Sequence, residues 1–112
     1  MTENKSFHFI QNEIKNNDIV LFIKGTVDFP ECGFSAMVVK IFQKLGAPFK
    51  DINVLTSSDL RQAIKDFTNW PTIPQIYIKG EFIGGCDIIK EIYDNGELAV
   101  LLKQHNLLPL KT

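Results

Sequence analysis

The eighteen residues Ile19–Ala36, IVLFIKGTVDFPECGFSA, decide how the rest of the chain is read. The first five are uniformly apolar and β-branched at three positions, the signature of a strand buried on both faces. Lys24-Gly25 and Pro30 then break the run. From Gly33 the period becomes helical, with Met37, Val38, Ile41, Phe42 and Leu45 on one face and Gly46 as C-cap. A buried strand passes through a short loop into a helix, and a cysteine sits at the junction. A Cys-x-x-Cys pair there would indicate a dithiol redox centre, but Ser35 stands where the second sulfur would be.

Working outward, Phe7, Ile10 and Ile14 fall at helical spacing after Ser6, a candidate N-cap. Downstream, 49–54 reads as a second strand. The polar run 56–59 supplies N-cap candidates for a helix directing Leu60, Ala63, Ile64 and Phe67 inward. Trp70-Pro71-Thr72-Ile73-Pro74 is incompatible with helix, because each proline removes a donor and extends its predecessor. Residues 75–78 and 81–83 form a hairpin around Lys79-Gly80. Gly84 and Gly85 form a hinge, and Asp87 caps a helix burying Ile88, Ile89 and Ile92. A final helix after Gly96 places Leu98, Leu101 and Leu102 on one side.

Two strands flanking a helix are parallel by the right-handed crossover rule, whereas the closing hairpin is antiparallel. The expectation is a single domain over 1–112: a mixed four-stranded sheet flanked by helices, α/β architecture of the thioredoxin type. At 112 residues, 45% hydrophobic and 22% charged, the chain can bury one core without staples.

Net charge of −1 gives no electrostatic reason to expect nucleic acid or an anionic membrane as partner. No apolar run approaches the roughly 20 residues of a membrane span. Two cysteines are too few for a disulfide scaffold, and the N-terminus lacks the features of a signal peptide. A cytoplasmic location is expected, with the mitochondrial matrix after presequence removal as the alternative.

Four separated pieces converge at one end of such a sheet: Lys24, Cys32, Thr72-Ile73-Pro74 and Gly84-Gly85-Cys86-Asp87. Cys32 follows Pro30-Glu31 on a loop–helix boundary instead of lying in an apolar stripe. There the helix N-terminus and Lys24 favour its thiolate, while Glu31 opposes it. Cys86 is open to three readings: a resolving thiol, a packing residue or a backbone contact point. The last two are preferred, because free cysteine is commonly buried. Trp70 is structural or faces a partner. His8 and His105 are isolated and read as solvated or cap-like, not as metal ligands.

Lys24-Gly25-Thr26, Cys32-Gly33-Phe34-Ser35, Trp70-Pro71-Thr72-Ile73-Pro74 and Gly84-Gly85-Cys86-Asp87, in this order and spacing, resemble the monothiol glutaredoxins of the CGFS type. The similarity runs from about Phe7 to Leu108. One departure is Val27, where the family usually carries proline, so a less stiff loop is expected.

The resemblance implies a glutathione site. Lys24 and Arg61 are similar to the cations that hold the glycine carboxylate, and Arg61 is the only arginine beside eleven lysines. Ile73, before a proline that the family holds cis, offers its backbone to the cysteinyl part. The backbone of Cys86 and the carboxylate of Asp87 take the γ-glutamyl end. Gly33, Phe34, Thr72, Pro74, Gly84 and Gly85 support this cradle.

A [2Fe–2S] cluster usually takes four thiolates. With Cys32 as one ligand and bound glutathione as a second, two protomers complete the set. The implied function is a homodimeric iron–sulfur carrier in cluster assembly and transfer to apo-proteins, with a BolA-like protein as a further partner. The alternative is a glutathione-dependent monothiol–disulfide oxidoreductase with Cys32 as catalytic nucleophile. A redox-inert interaction domain is the third and blandest reading.

Overall fold

A computed structural model of the chain describes residues 4–108, so the ends of the domain expected over 1–112 lie outside the described residues. The elements run α1 (Lys5–Asn16), β1 (Ile19–Ile23), α2 (Gly33–Leu45), β2 (Lys50–Asn53), a 3-10 turn (Val54–Thr56), α3 (Ser58–Thr68), β3 (Gln75–Ile78), β4 (Glu81–Gly84), α4 (Cys86–Asp94) and α5 (Glu97–Gln104). The four strands form one sheet in the order β2-β1-β3-β4. β1 pairs parallel with β2, in register Val20–Lys50 to Ile23–Asn53, as the crossover through α2 requires. The β1–β3 and β3–β4 pairs are antiparallel. The sheet is therefore mixed and covered by helices on both faces, the α/β architecture of the thioredoxin type expected from the sequence.

β1 is apolar throughout because it is covered twice. Ile19, Leu21 and Ile23 enter one core with Val38, Phe42, Ile89, Leu98 and Leu102 from α2, α4 and α5. Val20 and Phe22 enter a second core with Ile10, Leu60, Ala63 and Ile64 from α1 and α3. The period-2 alternation of a strand sends neighbouring side chains to opposite faces, so a central strand needs apolar residues at every position.

Several local expectations shift. Asn4, not Ser6, caps α1: its side chain accepts the Phe7 N–H at 3.1 Å. The second strand is shorter than 49–54, because Asn53 Oδ1 accepts the Leu55 N–H at 2.9 Å and turns the chain into the 3-10 segment. Ser57 is the cap of α3, with its side chain accepting the Leu60 N–H. Gly85, not Asp87, is the N-cap of α4, and Asp87 lies in the first helical turn. Ile89 is fully buried, whereas Ile88 and Ile92 are half-buried. Met37 lies at the edge of its helix face, 39% exposed. Among the described residues no helix is long and apolar enough to cross a membrane.

Candidate functional site

The carboxyl end of β1 opens into a loop held tightly by its own backbone. Thr26 N–H donates to the Phe29 carbonyl and Glu31 N–H to the Lys24 carbonyl, while Gly25 bridges Pro30. Asn53 Oδ1 accepts the Gly25 N–H at 3.0 Å as well as that of Leu55, tying the loop to β2. Gly25 has φ +95°, and a Cβ there would lie 2.5 Å from the Phe29 carbonyl oxygen and 2.7 Å from the Glu31 nitrogen. Only glycine fits this position. Val27, where less stiffness was expected, packs half-buried against the core, and these bonds hold the loop without a proline.

The loop delivers Cys32 as the extended N-cap of α2, half-exposed, with its carbonyl accepting the Ala36 N–H. Its thiol is held below the ordinary cysteine range. The main cause is the Ser35 backbone N–H pointing at the sulfur; the Phe34 N–H, the Ser35 hydroxyl and the Lys24 charge add to it, against an opposing effect of burial. The dominant donor is thus the first helical turn itself, and Lys24 is the smallest of these contributions. Ser35 is fully buried, and its Oγ accepts the Lys24 N–H at 3.1 Å. One hydroxyl therefore links the end of β1 to the thiolate, a role beyond merely replacing a second sulfur.

Cys32 stands on the wall of a cleft of about 500 Å³. Lys24, Phe34, Thr72, Ile73, Pro74, Gly85, Cys86 and Asp87, all singled out from the sequence, line it too. The Ile73–Pro74 peptide is cis. Gly84 and Gly33 lie outside the lining, and so does Arg61, which is exposed on α3. Its place on the wall is taken by Lys65, one helical turn later on the same face. Gly84 is needed for packing: at φ +152°, a Cβ would meet the Ile88 side chain at 2.8 Å. Gly33 has no such demand, since a Cβ there meets nothing within 4 Å.

Cys86 opens α4 at 9% exposure, its Sγ 3.7 Å from the Met37 Sδ. Burial pushes its thiol above the ordinary range, helped by the charges of Asp87 and Cys32, with Lys90 opposing. Two cysteines on one cleft are thus driven apart: one toward thiolate, the other toward neutral thiol.

Gln75, given no role from the sequence, and Trp70, read there as structural or partner-facing, shape the cleft. Gln75 is completely buried and its Nε2 donates to the Trp70 carbonyl at 3.0 Å and the Thr72 carbonyl at 3.2 Å, clamping the loop before β3. A polar residue opening an apolar strand was the available signal. Trp70 lines the cleft with its ring 5.6 Å from that of Phe82 and its buried Nε1–H unpaired. It packs beside Gly85, where an added Cβ would lie 3.3 Å from that nitrogen. Phe29, outside the cleft, and Phe34, on its wall, are 78% and 61% exposed on the same loop–helix junction.

The sequence relationships agree with this geometry. The Glutaredoxin family model matches residues 19–83, from the start of the first strand into the fourth. A probable monothiol glutaredoxin 2 of Rickettsia felis is 60% identical over 103 residues, covering 92% of this chain and 99% of the relative. Among solved structures, reduced poplar apo GrxS14 is 47% identical at a TM-score of 0.77, covering 88% of this chain and 90% of that one. A buckwheat glutaredoxin–glutathione complex is 29% identical at a TM-score of 0.83, with coverage of 97% and 100%. A lone cysteine at the start of α2, a serine three residues on, and a cleft closed by the 70–74 loop and the start of α4 accord with these relatives: the chain belongs to the glutaredoxin family, among its monothiol members.

Proposed function

We propose that this protein binds glutathione in the Cys32 cleft and carries a [2Fe–2S] cluster bridged between two protomers, passing it to apo-proteins in iron–sulfur cluster assembly. The observation that carries the reading is the pairing of one stabilised thiolate with a cleft sized for a small peptide. Cys86 is held neutral and Ser35 offers no sulfur. One chain then supplies one of the four thiolates that a cluster usually takes. A glutathione thiolate beside Cys32 makes two, and a second protomer with its own glutathione makes four.

Lys24 and Lys65, both on the cleft wall, suit the tripeptide's glycine carboxylate. Arg61, one turn from Lys65, is a long-range reserve of positive charge at this end of α3. The Ile73 backbone, and Cys86 N–H with Asp87 at the start of α4, suit the remaining peptide and γ-glutamyl groups. The exposed rings of Phe29 and Phe34 beside Cys32 provide apolar surface for the second protomer, or for a BolA-like protein in its place. The cargo is labile because half its ligands are exchangeable small molecules. The reading places the protein in a reducing compartment such as the cytoplasm.

The lowered thiol also favours a second activity, glutathione-dependent thiol–disulfide exchange. The Cys32 thiolate attacks the glutathione sulfur of a mixed disulfide, the substrate leaves as its thiolate, and Cys32 holds the glutathionyl group. A second glutathione thiolate then attacks that disulfide, releasing oxidised glutathione and restoring Cys32.

Anaerobic purification with glutathione, followed by iron, acid-labile sulfide and native mass, separates the two. About one cluster per dimer, lost in Cys32→Ser and kept in Cys86→Ser, is expected of the carrier. A colourless monomer that turns over glutathionylated substrate rapidly would sink it.

A further inference from the structure

Two sulfur atoms meet where α4 packs on α2, and the cysteine that the cluster-carrying role uses lines the same cleft as one of them. Cys86 Sγ and Met37 Sδ are 3.7 Å apart, brought together by the packing of the first turn of α4 on the early turns of α2. Cys32 lines the cleft that Cys86 also lines. Met37 is 39% exposed and Cys86 faces the cleft, so the pair is reachable from solvent despite the burial of the cysteine.

We propose that Met37, Cys86 and Cys32 form a binding site for a monovalent soft metal ion, Cu(I). Thioether and thiolate donors select soft ions such as Cu(I) over the hard divalent cations. The spacing suits the ion. With metal–sulfur bonds of about 2.3 Å, the length thiolates make to zinc, two sulfurs 3.7 Å apart subtend about 107° at the metal. That angle lies near the tetrahedral value and is compatible with three-sulfur coordination once Cys32 turns inward. Asp87 at the cleft wall is the nearest oxygen donor in sequence, and its carboxylate is hard and exposed. Binding involves no electron transfer: the Cys86 S–H gives its proton to solvent, a metal–sulfur bond replaces it, and Cu(I) remains Cu(I). The site overlaps the glutathione cleft, so ion and tripeptide compete for Cys32.

The test uses the full chain, reduced, metal-free and without glutathione or iron, which makes it independent of the cluster-carrier reading. Anaerobic titration from the Cu(I)–bicinchoninate complex gives stoichiometry and affinity, and X-ray absorption at the copper edge gives the ligand set. One copper per chain with sulfur ligands alone is expected. Met37→Leu, close in volume and fold-preserving by circular dichroism, should bind at least about tenfold more weakly. Cys32→Ser should lose a similar factor. Unchanged affinity in either variant overturns the three-sulfur site; for Met37→Leu it would mean that the sulfur–sulfur contact is packing only. Oxygen or nitrogen ligands in the absorption spectrum, or no stoichiometric uptake, overturn it as well.

Discussion

Replacing Ser35 by alanine tests how the reactive thiolate is made. The side chain is fully buried, its Oγ accepts the Lys24 N–H at 3.1 Å, and its hydroxyl donates a hydrogen bond toward the Cys32 sulfur. Ser35→Ala keeps the backbone N–H that does most to stabilise the thiolate and deletes the hydroxyl that adds to it. The Cys32 inflection should therefore move upward but remain below that of an ordinary thiol. Lys24→Gln removes the smallest of the favourable contributions and should move it less. Stability changes in parallel: the Lys24 N–H loses its partner at a part-buried position, a cost of about 1–2 kcal/mol. The pH profile of the alkylation rate with iodoacetamide reads the first effect, and urea unfolding at unchanged m reads the second. A larger upward shift for Lys24→Gln than for Ser35→Ala would refute the ranking, and leave the lysine charge as the principal device.

Gln75→Met removes both N–H donors from the Trp70 and Thr72 carbonyls while keeping the side-chain volume. A loss of about 2–3 kcal/mol is expected in urea unfolding, accompanied by weaker glutathione binding by calorimetry as the 70–74 loop loosens. Gly25→Ala drives a Cβ to 2.5 Å from the Phe29 carbonyl at a positive φ, so the loop must open. The expected cost is about 2–4 kcal/mol by thermal unfolding, together with slower alkylation of Cys32; a shift within 0.5 kcal/mol, taken as about the surface-substitution range, would contradict the clash.

The pieces of the cleft were legible because each carries a local constraint that the sequence cannot hide. Prolines at 71 and 74 exclude helix, the Cys32–Gly33 step marks a helix start, and the uninterrupted apolar run of β1 requires cover on both faces. The cation on α3 was harder. Arg61 stood out by its rarity, but the helix rotates Lys65 to the cleft wall instead. Residues four apart share a face, and only the docking angle of the helix decides which of the two reaches the cleft. The caps of α1 and α4 were each displaced by two residues for the same reason that caps are ambiguous in sequence: several polar or glycine residues adjoin each start, and the backbone angle picks one.

What the sequence alone determined is therefore the order of elements, the crossover that makes β1 and β2 parallel, and a single unpaired thiol presented at a helix start. These follow from periodicity, chirality and turn chemistry, which act over a few residues. What only the tertiary structure decided is the chemistry of the two sulfurs. Cys32 and Cys86 lie far apart along the chain, yet share one cleft, and their thiols are pushed in opposite directions. The physical reason is that a thiol's ionisation depends on the donors, charges and solvent within a few ångströms. At Cys32 those are the N–H groups of α2 and the Ser35 hydroxyl; at Cys86 they are the burial around it and the charges of Asp87 and Cys32, assembled only when α4 docks on α2.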